Sequence, residues 1–144
     1  MTNESIKPPT WFWVVAIIAL VWNLLGVGAY LGQAYVSDDI FSQMEEAVQD
    51  LINQTPAWAT AAFAIAVWCG ALGSLLLVLR RKLAYMVLIL SLMGILVQMF
   101  YNFFMSNSME VYGPGGAIMP IFTIIVGIGL VLLAKKGKSV GWLR

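Results

Sequence analysis

The stretch Leu79-Arg80-Arg81-Lys82-Leu83 decides the fold, because three adjacent cations separate two long apolar runs that carry no charge. The run before it covers about residues 57–79 and the run after it about 83–105. About 20 helical residues cross a hydrocarbon core of ~30 Å, so each run is long enough to span a membrane. Since so few residues separate them, the two runs predict a tight antiparallel helical hairpin.

Two further apolar runs flank this hairpin, at about residues 11–35 and 117–134. Composition agrees with a membrane environment, because 61% of the 144 residues are hydrophobic and 10% are charged. A soluble domain of this length needs more polar surface than that. The pattern predicts an all-α membrane protein in which residues 1–144 form one integral membrane domain, a four-transmembrane-helix bundle.

Between the first and second runs the chain becomes polar and acidic. Ser37 can cap a helix whose first turn carries Asp38 and Asp39, where negative charge suits the helix dipole. Apolar residues recur at helical spacing from Ile40 onward, and Pro56 ends the segment. The pattern predicts an extra amphipathic helix over about 38–53, lying either on lipid or over the bundle.

The charges are segregated along the chain. Four helices bring all eight basic residues to one end: Lys7, Arg80, Arg81, Lys82, Lys135, Lys136, Lys138 and Arg144. Six of the seven acidic residues fall at the other end: Asp38, Asp39, Glu45, Glu46, Asp50 and Glu110. Cytoplasmic loops carry an excess of Lys and Arg, so the topology determinants at 80–82, 135, 136 and 138 predict that both termini are cytoplasmic. The acidic helix then lies on the outer face.

The four spans contain no Asp, Glu, Lys or Arg, and the chain has no histidine. This argues against a proton-coupled antiporter of the small multidrug-resistance type, which resembles this chain in size and helix number but needs a carboxylate in the membrane. The neutral residues that could line a small polar cavity open to the outer side are Asn23, Gln33, Gln98, Tyr101 and Asn102. Such a cavity suits a neutral hydroxylated ligand, and interhelical hydrogen bonding is the commoner alternative.

Small residues form possible close-packing surfaces. Gly28 and Gly32 make a G-x-x-x-G on the first span, and Gly70 and Ser74 belong to a similar stripe on the second. Such stripes let helix backbones approach closely. We expect contact within the bundle, with a homo-oligomer seam as the alternative.

No pattern indicates catalysis, a cofactor, a metal or a nucleic acid. The single cysteine, Cys69, lies in an apolar run without a basic neighbour. Glu46 and Asp50 lie four residues apart, but two carboxylates fall well short of the six to eight oxygens that calcium prefers. The basic residues sit next to the membrane spans, where they act as anchors. The sequence therefore predicts a non-enzymatic protein without metal or cofactor.

Several short phrases together resemble a group of small bacterial four-helix inner-membrane proteins that often carry the label "sugar transporter". The phrases are Trp22-Asn23-Leu24-Leu25-Gly26-Val27, Thr55-Pro56-Ala57-Trp58-Ala59, Gly70-Ala71-Leu72-Gly73, Ser91-Leu92, Val97-Gln98 and Tyr112-Gly113-Pro114-Gly115. The resemblance covers nearly the whole chain and implies a multi-pass protein of the bacterial inner (cytoplasmic) membrane. The chain is also similar to DoxX-like four-helix membrane proteins in span number and size.

Two functions fit these observations. The first is a small multi-pass membrane protein that acts as a homo-oligomer or accessory subunit, with membrane lipids and either a second copy or another membrane protein as partners. The alternative is a carrier for a small neutral, sugar-like solute. A carrier usually alternates access between two repeats, and one copy of this chain shows no such repeat, so it would need a dimer.

Overall fold

The computed structural model describes residues 6–106 and 108–144, and every regular element in those residues is helical. The helices are α1 Thr10–Ala34, α2 Asp38–Gln43, α3 Glu46–Gln54, α4 Ala57–Val78, α5 Leu83–Phe100, α6 Ser108–Tyr112 and α7 Ile118–Val140. A π-helical turn, Tyr101–Met105, continues α5, and a 3-10 turn, Pro114–Ala117, leads into α7. The predicted all-α architecture is confirmed.

Four of these segments are long and apolar enough to cross a membrane. They are Thr10–Ala34, Ala57–Val78, Leu83–Met105 and Gly115–Val140. The last is longer than the predicted span of 117–134, because the lysines that follow the apolar run are good helix formers and continue α7. The helix ends at Gly141, whose φ of 92° gives the left-handed turn that favours glycine.

The spanning helices pack side by side in the order α1, α4, α5 and α7. α4 and α5 form the central hairpin, with α1 against α4 and α7 against α5. α1 and α7 are therefore the two edges of this arrangement. Trp22 of α1 and Phe122 of α7 meet edge to face with ring centroids 5.1 Å apart, and an apolar groove runs between the two helices.

The largest buried cluster lies at the end of the bundle that holds the Arg80-Arg81-Lys82 turn, which we call the basic end. Its fully buried large side chains are Phe12, Leu77 and Leu143. Trp142 packs beside them, with its ring 5.5 Å from that of Phe12. The last residues of the chain thus fold back into the core, which lets the basic end close.

Backbone groups of the termini complete this closure, in an arrangement that we call the terminal clasp. Arg80 adopts a φ of 59°, and its Nε and Nη2 donate to the carbonyl oxygens of Trp142 and Ile6 at 2.9 and 3.1 Å. The N–H of Arg144 donates to the Arg80 oxygen at 2.8 Å, and the N–H of Lys82 to the Arg144 oxygen at 3.1 Å. Ile6 N–H donates to the Gly141 oxygen at 2.9 Å.

The opposite end, which we call the acidic end, is built from short helices. The predicted single helix over 38–53 is wrong, because the chain forms α2 and α3, with Met44 extended and Glu45 also non-helical between them. The Met44 carbonyl oxygen, which a continuous helix would bond internally, instead accepts from the Gln49 side chain at 2.9 Å. As predicted, the Ser37 side chain caps the first piece by accepting from Ile40 N–H at 3.3 Å.

The connection between the third and fourth spans also differs from the predicted polar turn. It contains α6 and the 3-10 turn, joined at Gly113, where φ is 77°. α6 contacts α3 and the π-helical turn, so both connections of the acidic end pack together.

Candidate functional site

A cavity of about 540 Å³ lies at the acidic end, where α1, α4 and α5 reach the short helices. Its polar lining residues are Gln33, Thr55, Thr60, Gln98, Tyr101, Asn102, Ser106 and Tyr112. Four of the five residues predicted to share a polar cavity are therefore together here: Gln33, Gln98, Tyr101 and Asn102. We call this space the polar cavity.

The π-helical turn positions two of these side chains. The Ser106 N–H donates to the Tyr101 carbonyl oxygen at 2.9 Å, five residues back, so the turn is wider than an α-helical one. Both Tyr101 and Asn102 belong to it and line the polar cavity. Single π-helical turns are rare and occur frequently at functional sites.

Tyr101 also contacts the end of α3, the helix that covers the cavity. Its side chain is buried, its hydroxyl donates to the Gln54 carbonyl oxygen at 3.4 Å, and its ring meets that of Trp58 edge to face at 5.6 Å. Gln54 ends α3, and Leu51 and Ile52 of the same helix line the cavity. α3 therefore lies over the bundle at this point.

Gln98 has the side chain best suited to receive a ligand. It is half-buried in the cavity wall, and its amide makes no hydrogen bond to any other residue that the structure describes. The neighbouring hydroxyls are engaged: Thr55 donates to the Leu51 oxygen at 2.7 Å and Thr60 to the Pro56 oxygen at 3.5 Å. An amide offers two donors and an acceptor, so Gln98 can bond hydroxyl or carbonyl groups of a bound molecule.

The described wall of the polar cavity carries no charge. None of the described residues that line it is an Asp, Glu, Lys, Arg or His. Burying an ion without a partner costs far more than burying a neutral polar group that can be hydrogen-bonded. The lining therefore favours uncharged molecules.

Asn23 was predicted to belong to the polar cavity, and the structure does not bring it there. Its Nδ2 donates to the Ala19 oxygen at 2.8 Å and to the Ser74 Oγ at 3.0 Å. A side chain added at Gly70 would collide with the Asn23 amide and would lie 3.2 Å from the Ser91 Oγ. Asn23 therefore serves the alternative role, an interhelical hydrogen bond that fixes α1 against α4.

A second cavity of about 400 Å³, the apolar cavity, lies deeper between the helices. Its wall is mostly apolar, with Trp22, Val67 and Ile95 among the lining residues, and Asn23 and Ser91 are polar points in it. The Ser91 hydroxyl is occupied, since it donates to the Ala66 oxygen at 2.6 Å. Four residues line both this cavity and the polar one: Phe63, Gln98, Met119 and Pro120.

The predicted packing stripes divide into two cases. Ser74 is fully buried and Gly70 lies against α1, so these two make contact within the bundle as predicted. Gly28 and Gly32 are exposed, and a Cβ at either would meet nothing within 4 Å. Contact within the bundle is therefore wrong for Gly28 and Gly32, because α1 is an edge helix that turns this stripe outward.

The basic residues have structural partners that the sequence did not indicate. Lys136 lies over the rings of Trp11 and Trp142 at 5.5 and 5.6 Å, and Lys138 over Tyr85 at 5.3 Å. Such cation–π contacts stabilise a cation beside an aromatic face. The signal in the sequence was an aromatic residue, Trp142, placed directly after the helix-ending Gly141.

Among the described residues, no group of three or more His, Cys, Asp or Glu side chains is arranged to hold a metal ion. What the arrangement offers is hydrogen bonding to an uncharged molecule at the acidic end and an apolar space behind it.

The fold defines the class: this is a multi-pass helical membrane protein with four candidate spans. Comparisons of the chain with protein-family models, with curated proteins and with solved structures gave no match. The resemblance to small inner-membrane proteins labelled "sugar transporter" and to DoxX-like proteins therefore stays a prediction.

Proposed function

We propose that this protein binds a small uncharged, hydroxyl-bearing solute in the polar cavity and acts as a carrier for it. The observation that supports this is the convergence of Gln33, Gln98 and Asn102 on one open cavity. These residues come from α1, α5 and the π-helical turn, so the fold gathers polar groups that are up to 69 positions apart in the chain.

The chemistry of the wall supports a neutral ligand. Amide and hydroxyl groups can exchange their hydrogen bonds with water for bonds to ligand hydroxyls at little net cost. A phosphate, carboxylate or ammonium group would lose hydration without finding an opposite charge among the described lining residues.

The proposal includes an orientation. With the basic end in the cytoplasm of a bacterial inner membrane, as the positive-inside rule favours, the polar cavity opens to the outer side. The acidic α2 and α3 then form the amphipathic segment at the outer surface. The terminal clasp closes the cytoplasmic end, so the described conformation corresponds to the outward-open state of a carrier, whose transport step must open the clasp.

The test is calorimetric titration of the protein in phosphatidylcholine nanodiscs with glucose, glucosamine and glucose 6-phosphate. At about pH 6, where the glucosamine amine is protonated, we expect glucose to bind and its cationic and anionic counterparts to bind at least about tenfold more weakly, because their charges are uncompensated. Q98L removes one neutral hydrogen-bonding group and should weaken glucose binding about five- to tenfold.

The matched control is Q43L, because Gln43 is exposed on α2 and does not line the polar cavity. It should leave glucose binding unchanged. Equal binding of all three sugars, or equal weakening by both substitutions, would contradict the proposal.

A homo-oligomer or accessory subunit is the second candidate function. The observation that favours it is the outward-facing pair Gly28 and Gly32, which offers a close-packing surface for a helix of another chain. Native mass spectrometry of the same nanodiscs reports the stoichiometry, and a symmetric oligomer is also what a carrier without internal repeats needs. A monomer that binds none of the sugars would contradict the carrier and the homo-oligomer, and the absence of any co-purifying chain would also contradict the accessory subunit.

A further inference from the structure

We propose that the ligand is a neutral amphiphile, with one uncharged hydroxylated head in the polar cavity and one apolar chain in the space behind it. The inference rests on the proposed function and narrows its substrate class. A free sugar would use the polar cavity alone and leave the apolar cavity unexplained.

The two cavities adjoin, and their lining changes from polar in the first to mainly apolar in the second. Gln98 lines both, with Phe63 and Pro120 among the other shared residues. Toward the acidic end the wall carries Asn102 and Thr60, whereas the deeper wall is formed mainly by apolar side chains. A molecule that satisfies both regions must itself be polar at one end and apolar at the other, because each buried group needs a matching environment.

The apolar cavity leads on into the groove between α1 and α7. The residues that line both are Trp22, Val126 and Leu130. The groove itself has a volume of about 460 Å³, and its further lining residues include Ile18 and Gly129. Every described side chain that lines it is apolar or aromatic.

The apolar cavity and the groove together fit a single extended alkyl chain. The path begins at Gln98, passes Trp22 and follows α7 toward Leu133, between the two edge helices of the bundle. Exposed side chains of α1 and α7, such as Ile18 and Ile125, are apolar, so in a membrane the alkyl chain of an amphiphile can enter between these edges without crossing water. The head then reaches the hydrogen-bonding groups at the acidic end.

Gly129 gives a test that does not disturb the fold. A Cβ at this position meets nothing within 4 Å, and replacing a helical glycine raises helix propensity. G129L therefore fills the groove while leaving the polar cavity unchanged. I128F is the control, because Ile128 is 43% exposed on the same helix and lines none of the three spaces.

The probe is 1-monooleoylglycerol, titrated into phosphatidylcholine nanodiscs and followed by native mass spectrometry, with oleate as the charged counterpart. We expect one monooleoylglycerol per chain, with binding at least about tenfold tighter than oleate. G129L should weaken monooleoylglycerol about fivefold or more and leave glucose binding unchanged, whereas Q98L should weaken both ligands. I128F should change neither.

Failure of the two proposals can be told apart. If glucose binds and Q98L weakens it, but G129L leaves monooleoylglycerol binding unchanged, the amphiphile inference is overturned and the solute site stands. Equal retention of oleate, monooleoylglycerol and phosphatidylcholine would show unselective filling by lipid and would also overturn it. If neither glucose nor monooleoylglycerol binds, both proposals are wrong.

Discussion

The two ends of this bundle are built by opposite means from the same four helices. At the basic end the termini return to the hairpin turn, backbone groups pair with Arg80, and large side chains such as Leu143 are fully buried. At the acidic end short helices and a π-helical turn leave a cavity lined by polar groups, including Gln98 without a partner in the described part of the chain. The basic end holds the large buried cluster, and the acidic end holds the polar cavity.

The two ends differ in how their backbone N–H and C=O groups find hydrogen-bond partners. Carbonyl and N–H groups that leave a helix near a membrane must find partners. The basic end finds them in its own terminal segments, which pack tightly. The acidic end finds them in local caps such as Ser37 and Gln49, which satisfy the backbone without filling the interior.

The largest effect should come from truncating the aromatic residue at the basic end. Trp142 is 7% exposed and contacts both Trp11 and Phe12, at 5.4 and 5.5 Å between ring centroids. W142A should lower the free energy of unfolding by about 3 kcal/mol, because a buried aromatic side chain leaves a cavity. Reversible unfolding by dodecyl sulfate titration measures this loss.

The control is Y35A, since Tyr35 is also aromatic but 80% exposed near the acidic end. It should change the free energy of unfolding by less than about 0.5 kcal/mol. Similar losses for the two variants would remove the contrast between the ends.

The second-largest loss in the free energy of unfolding is expected at the terminal clasp. R80A removes the charged donors to the oxygens of Trp142 and Ile6, and we expect a loss of about 2 kcal/mol in the free energy of unfolding. R80G should lose about 1 kcal/mol less, because glycine adopts the φ of 59° without steric cost. The same detergent titration separates the two variants.

R81A is the matched control, because Arg81 is exposed and its substitution removes the same charge from the same turn. We expect a change below about 0.5 kcal/mol. If R81A and R80A lose equal stability, charge rather than the clasp sustains the basic end.

The smallest effect is expected at the acidic end. Y101F removes the hydroxyl that donates to Gln54 at 3.4 Å, a long bond worth about 0.5 kcal/mol. Amide hydrogen exchange in α3 should become about twofold faster, with no change at the basic end. Y112F is the control, because Tyr112 is exposed and lines the same cavity. Unchanged exchange in α3 would mean that Leu51 and Ile52 hold it without the tyrosine.

Much of the fold was predictable from the sequence because the membrane imposes simple requirements. Span lengths follow from the hydrocarbon thickness, and the hairpin follows from the short cationic interruption at Arg80. The break between α2 and α3 was not predictable in this way, since the apolar spacing continues through Met44. In the structure the Gln49 side chain donates to the Met44 oxygen at this break.

Part of the candidate site was predictable from helical periodicity. Gln98 and Asn102 lie four residues apart, so helical periodicity alone indicated a shared face. The partner of Asn23 could not be deduced, because an amide in a span can serve a cavity or a neighbouring helix equally well. Only the position of Ser74, 51 residues away, assigned Asn23 to packing.

By itself, the sequence determined that the chain is helical, that four segments can span a membrane and that its basic and acidic residues separate to opposite ends. These properties depend on the hydrophobicity and length of each segment, which can be read from that segment alone. Tertiary structure decided which end closes, which polar side chains share a cavity and which glycines meet a neighbour. Those outcomes depend on the order α1, α4, α5 and α7 around the bundle, and helix order is set by packing between distant segments that no local pattern encodes.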